Sequence, residues 1–284
     1  MNLDNNTIRT LEITACRRRL DIVNMIYRAK TGHIGGSLSS IDMLTALFYH
    51  VMDVEKIRAK DADRDRFILS KGHSVEGFYS ILADHGFFPK EELETYAQFK
   101  TRLACHPTKK IPGVEVSTGS LGHGLPIGVG MALSLKRDGS DAHVYVIMGD
   151  GEQGEGSVWE AAMAGPTYQL DNLTAIVDRN HLQISGNTEN VMHLEPLGER
   201  YRAFGWNVIE IDGNDFSQII PALLTRVPGK PTAIISNTIK GKGVSLMEDQ
   251  AAWHHKVPSA EQYQQALTEL NERLTRLIGE EDNR

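Results

Sequence analysis

Several polar side chains stand where short apolar runs of the sequence end, and their types suit a bound anion and a metal ion. Asp150 lies between Gly149 and Gly151 after the run HVYVIM, and Asn180 follows the run LTAIVD. The two glycines allow a backbone to approach a ligand closely. A carboxylate, an amide oxygen, a backbone carbonyl and diphosphate oxygens complete the oxygen shell that Mg²⁺ requires. A bare Gly-Asp-Gly is also an ordinary turn, but with Asn180 at this spacing the pattern favours a metal–diphosphate site.

The segment 117–124 (STGSLGHG) opens a predicted helix and is rich in glycine. Such a loop is typical of close contact with a ligand, although ordinary helix–loop packing gives the same pattern. No strand directly precedes it, and no Gly-Lys-Ser/Thr follows, so it matches neither the dinucleotide-binding fingerprint nor the P-loop. Nucleotide binding by either motif is therefore disfavoured.

Five of the eleven histidines lie in contexts flanked by glycine or proline or beside candidate ligand loops: His33, His73, His106, His123 and His254. One such histidine is most often a surface or core residue. Several of them in turns suit proton transfer and hydrogen bonding near neutral pH. The sequence contains no HExxH pattern for a catalytic metal.

Three acids follow Asp150 closely, at Glu152, Glu155 and Glu160. A solvated helix start explains them, because acids are favourable at the positive end of the helix dipole. The helix that starts near Gly156 is also expected to point its N-terminus toward the metal–diphosphate site, which favours an anion.

Short runs rich in Ile and Val alternate with helical patterns, which predicts βαβ units and a parallel sheet with helices on both faces. We treat residues 1–284 as a single α/β domain, with N-terminal helices over 7–51 and an amphipathic helix over 259–279, capped by Ser259, packed on it. In the second N-terminal helix, Ser39 or Ser40 is the expected cap and Asp42 lies in the first turn. The predicted strands are 66–70, 143–148, 173–178, 207–211 and 232–236, and the predicted helices between them are 73–85, 121–137, 156–169, 195–205 and 215–227.

Open parallel sheets bind ligands at the carboxyl ends of their strands. Four of the five predicted strands are followed there by polar residues, in SKGH, GDGE, DRNH and NTIKGKG, and three of these segments contain glycine. A purely structural sheet has no need of this arrangement, so the sequence predicts a ligand site at that edge.

Composition excludes several classes of protein. The chain has 284 residues and a formal net charge of -7, from 30 Lys and Arg against 37 Asp and Glu, which disfavours a general nucleic-acid binder. Cys16 and Cys105 cannot form a disulfide framework, so a reducing compartment such as the cytoplasm is expected. No apolar run is long enough for a membrane span, and the polar start does not resemble a signal peptide.

The motifs, in their order along the chain, resemble the N-terminal, diphosphate-binding part of transketolase, a thiamine-diphosphate enzyme. They cover nearly the whole chain. The motifs that carry the resemblance are GHIGGSLS (32–39), SKGH (70–73), CHP (105–107), STGSLGHGL (117–125), GDGEQGEGSVWEA (149–161), DRN (178–180), TIKGKG (238–243) and WHH (253–255).

The resemblance implies roles for particular residues and two cofactors, thiamine diphosphate and Mg²⁺, with Ca²⁺ or Mn²⁺ as alternatives. Asp150, Asn180 and the carbonyl of Leu182 resemble the metal ligands. Glu155 and Glu160 match acids that face the twin site across a dimer. The residues that resemble cofactor contacts are His73, Gly119, Ser120, Leu121, Gly151, Asn180, Lys240 and His254. Three histidines resemble those that handle the sugar hydroxyls: His33, His106 and His254. We expect these three and His73 to be catalytic.

A full transketolase continues far beyond this length, through the domain that binds the pyrimidine ring. The resemblance therefore implies one subunit of a split transketolase, transferring a two-carbon ketol unit between sugars or sugar phosphates within an α2β2 heterotetramer with a separate C-terminal subunit. The alternatives are a subunit similar to 1-deoxyxylulose-5-phosphate synthase, a subunit of an enzyme that decarboxylates 2-oxo acids, and a non-catalytic paralogue that only binds the cofactor.

Overall fold

A parallel sheet of five strands lies at the centre of the computed structural model, which describes residues 4–279. The strands are β1 (Arg66–Leu69), β2 (Val144–Gly149), β3 (Leu173–Arg179), β4 (Leu182–Gln183), β5 (Gly186–Asn187), β6 (Asn207–Asp212) and β7 (Thr232–Asn237). The hydrogen-bonded order is β1-β2-β3-β7-β6, and β4 and β5 form a separate antiparallel hairpin. All five predicted strands of the sheet are confirmed, each end lying within one residue of its predicted position.

The helices lie largely where the sequence predicts them. The two ends of the predicted domain, residues 1–3 and 280–284, fall outside the described residues. No helix within residues 4–279 is both long and apolar enough to cross a membrane. In this part of the chain the α-helices are α1 (Asn5–Ala29), α2 (Ile34–Ala46), α3 (Val54–Ala59), α4 (Val75–Asp84), α5 (Gly124–Arg137), α6 (Gly156–Thr167), α7 (Thr188–Val191), α8 (Leu197–Phe204), α9 (Phe216–Leu224) and α10 (Ala260–Gly279).

Both faces of the sheet are covered, as the apolar runs predict. Successive side chains of a strand point to opposite faces. On β2, Tyr145 and Ile147 pack into a core with α1, α2, α4, α9 and α10. Val144 and Val146 pack on the other face with α5, α6 and α8. The protein is therefore an α/β fold with helices on both faces of a parallel sheet.

Helix α2 begins earlier than predicted, at Ile34, and every one of its residues is buried. The predicted cap at Ser39 or Ser40 is wrong, because both hydroxyls lie inside the helix and donate to the carbonyl of Gly36, at 3.0 and 2.9 Å. The glycines suggested a loop in the sequence. In the fold they allow close packing, since a Cβ on Gly35 would lie 2.7 Å from the carbonyl oxygen of Trp253.

Asp42 also lies away from its predicted place in a first turn. It sits in the last third of α2 and is buried. The Arg19 guanidinium from α1 donates to both of its carboxylate oxygens, at 2.9 and 2.7 Å. Asn214 donates to Asp42 Oδ2 at 2.8 Å, and Arg19 Nε donates to the carbonyl of Lys242 at 2.9 Å. This ion pair joins two helices to two loops at the carboxyl edge of the sheet.

The first and last helices pack against each other. The rings of Tyr27 on α1 and Tyr263 on α10 stack with centroids 3.9 Å apart. The Cys16 thiol donates to the carbonyl of Leu270 at 3.3 Å. The predicted cap of the C-terminal helix is confirmed, because Ser259 Oγ accepts from the backbone N–H of Gln262 at 3.2 Å.

Asp42→Ala is expected to lower the free energy of unfolding by about 3–5 kcal/mol, because it leaves the Arg19 charge buried without its partner. Chemical denaturation of the chain measures this. Glu55→Ala is the matched control, since it breaks the exposed pair of Glu55 and Arg58 and is expected to cost less than about 1 kcal/mol. Equal losses in the two variants would contradict a structural role for the buried pair.

Candidate functional site

A cavity of about 380 Å³ with many polar side chains in its lining lies at the carboxyl ends of the central strands. It is lined by loops that follow β1, β2, β3 and β7 and by the start of α2. Most residues that the sequence singled out therefore meet in one place. The predicted site residues that line it are His33, His73, His106, Gly119, Leu121, Asp150, Gly151, Asn180, Leu182, Lys240 and His254.

Two expectations about this edge differ from the structure. Ser120 is exposed and does not line the cavity, although its neighbours Gly119 and Leu121 do. The helix that begins at Gly156 does not reach the cavity either, because the short turn Gly151–Gly154 lies between β2 and that helix. The cavity is therefore lined by Gly151 of this turn and not by the N-terminus of α6.

The three predicted metal ligands lie next to one another, on the turn after β2 and the segment after β3. Asp150 accepts hydrogen bonds from the backbone N–H groups of Gly151 at 2.7 Å and His181 at 2.6 Å. Asn180 Oδ1 accepts from the N–H of Leu182 at 3.2 Å. Carboxylate, amide and carbonyl oxygens of this kind are the donors that Mg²⁺ prefers.

The electrostatics around Asp150 favour a cation. Its carboxylate is 2% exposed. Burial and the nearby Asp178 raise the pKa of Asp150, which Arg179 only partly offsets from 3.2 Å. A metal ion would stabilise the ionised form. Within residues 4–279 no group of three or more His, Cys, Asp or Glu side chains could hold a metal, so Asn180 and the Leu182 carbonyl would have to complete the ligand set.

Lys240 supplies positive charge to the same cavity. It is 2% exposed, and its Nζ donates to the carbonyl of Leu182 at 3.3 Å. Burial and the nearby Lys71 lower the pKa of Lys240 to about 8. Lys240 forms no ion pair with a carboxylate in the part of the chain that the structure describes. A buried ammonium group without an anionic partner suits a phosphate ligand.

Sequence reasoning missed a buried ion pair between Asp178 and Lys71, which itself lines the cavity. Lys71 also donates to the carbonyl of Gly36 at 2.9 Å, and Asp178 accepts from Ser39 at 2.7 Å and from Thr238. Burial alone would raise the pKa of Asp178, but Lys71 and these hydrogen bonds lower it. Lys71 lies in the motif SKGH and Asp178 in the motif DRN, so the sequence marks both segments. Nothing in the sequence indicates that these two side chains form an ion pair.

The expectation of a solvated helix start is wrong for Glu152. Its carboxylate is 2% exposed. It accepts hydrogen bonds from the hydroxyl of Ser70 and from the backbone N–H groups of Gly122 at 2.8 Å and Gly149 at 2.9 Å. Burial raises the pKa of Glu152. This residue joins three of the loops around the cavity. Glu155 and Glu160 are exposed, as expected.

Four histidines face one another across the cavity. The ring centroid of His33 lies 5.1 Å from His73, 5.6 Å from His254 and 6.3 Å from His106. His255, which the sequence did not select, lies 4.6 Å from His33. Burial is the main reason that the pKa falls to about 4 for His33, about 2 for His73 and about 3 for His254. These three rings are neutral near pH 7 and can each donate or accept a hydrogen bond.

The fold and this cavity define a class of protein: an α/β domain that presents oxygen ligands, a buried lysine and neutral histidines at one edge of a parallel sheet. The sequence matches the family described as transketolase, thiamine diphosphate binding domain, over residues 10–271. The chain belongs to the transketolase family. Its fold class and its predicted identity as the N-terminal subunit of a split transketolase, a transferase, are confirmed.

Relatives of two lengths support this assignment. A subunit of apulose-4-phosphate transketolase from Phocaeicola vulgatus is 50% identical over 279 residues, which cover 98% of this chain and 99% of that protein. The transketolase of Rattus norvegicus is 36% identical, over 94% of this chain but only 43% of that protein. The crystal structure of transketolase from Campylobacter jejuni superposes with a TM-score of 0.83 at 28% identity, over 95% of this chain and 43% of that one. The chain thus spans less than half the length of the single-chain transketolases it matches.

Stability of the chain is expected to fall as the pH drops from 7 to 5, because of the buried neutral histidines. Their folded pKa values lie below the unfolded value, so the unfolded state takes up more protons in this range. The stability they contribute is present above about pH 6.5 and is lost on the way to pH 4. His33→Asn should flatten the dependence of the melting temperature on pH, whereas His193→Asn, at a side chain 84% exposed, should leave it unchanged. An identical pH dependence in wild type and His33→Asn would contradict the burial argument.

Proposed function

We propose that this chain is the diphosphate-binding subunit of a two-chain transketolase, which moves a two-carbon ketol unit from a ketose to an aldose. The observation that carries the proposal is the cavity at the sheet edge, where Asp150, Asn180, Lys240 and a cluster of histidines meet. The relative from Phocaeicola vulgatus, which is named as one subunit of a transketolase and is matched over 99% of its length, supports it.

The residues of the cavity fit thiamine diphosphate and a divalent cation. Lys240 is a buried ammonium group without a carboxylate partner in the described residues, which suits the diphosphate. Burial and the nearby Asp178 raise the pKa of Asp150, and a divalent cation would favour its ionised form. We propose Asp150, Asn180 and the Leu182 carbonyl as ligands of Mg²⁺, for which Ca²⁺ or Mn²⁺ can substitute because all three donors are oxygens. The further cofactor contacts that we propose within the cavity are His73, Gly119, Leu121, Gly151, Lys240 and His254. Ser120, between Gly119 and Leu121 but outside the cavity lining, remains a proposed contact of the bound cofactor.

When bound, thiamine diphosphate supplies the carbon nucleophile and the electron sink that ketol transfer requires. The chain's own residues bind, orient and exchange protons. His33, His73, His106 and His254 are the proposed catalytic residues, which polarise and protonate the sugar oxygens whose charge changes. The unpartnered buried Nδ1 atoms of His33 and His254 leave hydrogen-bonding capacity for a substrate. Low pKa values keep the three most buried rings neutral, so that each can both donate and accept.

The donor sugar that we propose is a ketose with a terminal anionic group. Two relatives carry such substrates in their names: apulose-4-phosphate for the Phocaeicola vulgatus protein, and 6-deoxy-6-sulfo-D-fructose for a Clostridium sp. protein that is 42% identical. No arginine is among the described residues that line this chain's cavity. The groups that recognise the phosphate or sulfonate are therefore expected on the partner subunit.

The partner that we propose is a separate C-terminal subunit with the pyrimidine-binding domain, in an α2β2 heterotetramer. Ile184, at the cavity rim, is 76% exposed and would be covered by such a partner. Glu155 and Glu160 are proposed to lie near the two-fold axis. We also propose that the whole chain is a single domain and that the enzyme works in the cytoplasm, where its two free cysteines remain reduced.

The isolated chain is expected to lack ketol transfer, and addition of the partner subunit is expected to restore it. Asp150→Ala should abolish Mg²⁺-dependent binding of thiamine diphosphate to the complex, as measured by calorimetry, because the cation loses its only protein carboxylate. Asp141→Ala, at an exposed residue before β2, is the matched control and should bind as wild type does.

Three outcomes would overturn the proposal. The first is full activity of the chain without a partner, and the second is wild-type cofactor affinity in Asp150→Ala. The third is a complex that binds the cofactor but only decarboxylates 2-oxo acids, forms 1-deoxyxylulose 5-phosphate or turns nothing over across a panel of ketose phosphates, sulfonates and unphosphorylated ketoses.

His33→Ala and His106→Ala are each expected to lower kcat by about 10²–10⁴-fold, because each removes a positioned group that exchanges protons. The dissociation constant of thiamine diphosphate should change far less. Steady-state kinetics and calorimetry on the complex separate the two effects. His193→Ala is the control, since that side chain is 84% exposed. Unchanged kcat in both cavity variants would remove these histidines from the mechanism.

A further inference from the structure

We infer that Glu76 and Tyr79, on helix α4, are positioning residues that hold His33 and His106 in the cavity. Neither residue lines the cavity, and both are 0% exposed. Each makes a hydrogen bond to the backbone of one histidine. The inference rests on the proposed function insofar as the two histidines act on a substrate.

Glu76 is a buried carboxylate that collects three donors. Its Oε1 accepts from the backbone N–H of His33 at 2.9 Å and from the hydroxyl of Tyr96 at 2.7 Å. Its Oε2 accepts from the hydroxyl of Ser37 at 2.5 Å. Gly32 presses against the same group, since a Cβ there would lie 2.6 Å from Oε1, and its φ of +146° favours glycine. The backbone entering α2 is therefore fixed on the Glu76 side chain.

Tyr79 lies one helical turn after Glu76, on the same face of α4. Its hydroxyl donates to the carbonyl of His106 at 3.0 Å. Helix α4 begins directly after the short turn Gly72–Ser74, which contains His73. One helix therefore contacts the backbone at two of the cavity histidines and follows a third.

The backbone contacts matter because, within residues 4–279, the rings of His33 and His106 pack against other rings but are not held by hydrogen bonds. His33 Nδ1 is buried without a hydrogen-bond partner. In the described residues, and apart from pairing within helix α2, the backbone N–H of His33 donates to Glu76 and the backbone carbonyl of His106 accepts from Tyr79. Both of these hydrogen bonds involve backbone atoms of the histidines and not their rings. The position of each ring therefore follows from where its backbone is held.

A carboxylate in this place has an energetic cost that a purely structural contact would not require. Glu76 has no ion-pair partner among the described residues. Burying a charge without a cation is unfavourable unless hydrogen bonds compensate for it. Burial and the charge of Glu76 raise the pKa of Tyr96, so that hydroxyl remains a donor. Three hydrogen bonds fix the position of the Glu76 carboxylate. One of them comes from the backbone N–H of His33, the residue directly before α2 that lines the cavity.

Two variants at Glu76 separate positioning from charge. Glu76→Met removes both acceptors and is expected to lower kcat of the complex by about 10²-fold, because small displacements of a catalytic group have effects of this size. Glu76→Gln keeps an acceptor for the His33 N–H and can donate to Ser37, so it should stay within about 3-fold of wild type. A Glu76→Gln variant as impaired as Glu76→Met would overturn the positioning role, since the charge itself would then be required.

Tyr79→Phe keeps the inference testable if Glu76→Met does not fold. It is expected to lower kcat by about 3- to 10-fold, the effect of one lost hydrogen bond. In the His106→Ala background the same substitution should have no further effect on kcat, because the ring that this backbone hydrogen bond positions is gone. Tyr49→Phe is the matched control, since that hydroxyl donates to Asp84 at the far end of the same helix, at 2.5 Å. A full effect of Tyr79→Phe in the His106→Ala background would overturn the inference.

A measurement without substrate distinguishes this inference from the proposed function. In the isolated chain with ¹³C-labelled histidine, Tyr79→Phe should shift the ring signal of His106, and Glu76→Met that of His33, while the signal of exposed His193 stays in place. These shifts with no ketol transfer in any complex would support positioning and count against the proposed function alone. Folded variants with unmoved ring signals would overturn the inference even if the enzyme is a transketolase.

Discussion

A buried ion pair between Lys71 and Asp178 joins the parts of the chain that surround the cavity. Lys71 follows β1, Asp178 is near the end of β3, and the pair also holds α2 through Ser39 and the segment after β7 through Thr238. Breaking a buried pair leaves an uncompensated charge and typically costs about 3–5 kcal/mol. Four elements that are distant in sequence therefore depend on one contact, which lies beneath the proposed metal site.

The same edge holds groups that are unfavourable to bury. Asp150 and Glu152 have raised pKa values, and Lys240 and three histidines have lowered ones. Such clusters are typical of functional sites, where shifted pKa values match a chemical task. The surrounding scaffold compensates through backbone donors and two apolar cores, so the site can keep unpaired hydrogen-bonding groups. The same buried ionisable groups therefore favour binding of a charged ligand and lower the stability of the folded state.

The sequence was sufficient for the sheet but not for the contacts behind the site. Runs rich in Ile and Val mark all five strands of the sheet, including β6, which is only partly buried at the edge. Helix α2 was placed too late because Gly35 and Gly36 look like loop residues, whereas tight packing is what requires them. Most of the predicted site residues that line the cavity lie in short motifs, whereas Gln183, Ile184 and Ser185, which also line it, lie in none. The roles of Lys71, Glu152 and Glu76 depend on partners far away along the chain, which local patterns do not encode.

Strand β6 has a consequence for how the chain behaves at high concentration. It forms one edge of the sheet, and in the described residues it pairs only with β7. Its outer backbone groups could template a strand from another molecule. Glu210 and Asp212 are exposed on this strand, and Arg202 from α8 lies 3.1 Å from Glu210. Charge on an edge strand opposes edge-to-edge association, so this edge of the sheet resists aggregation.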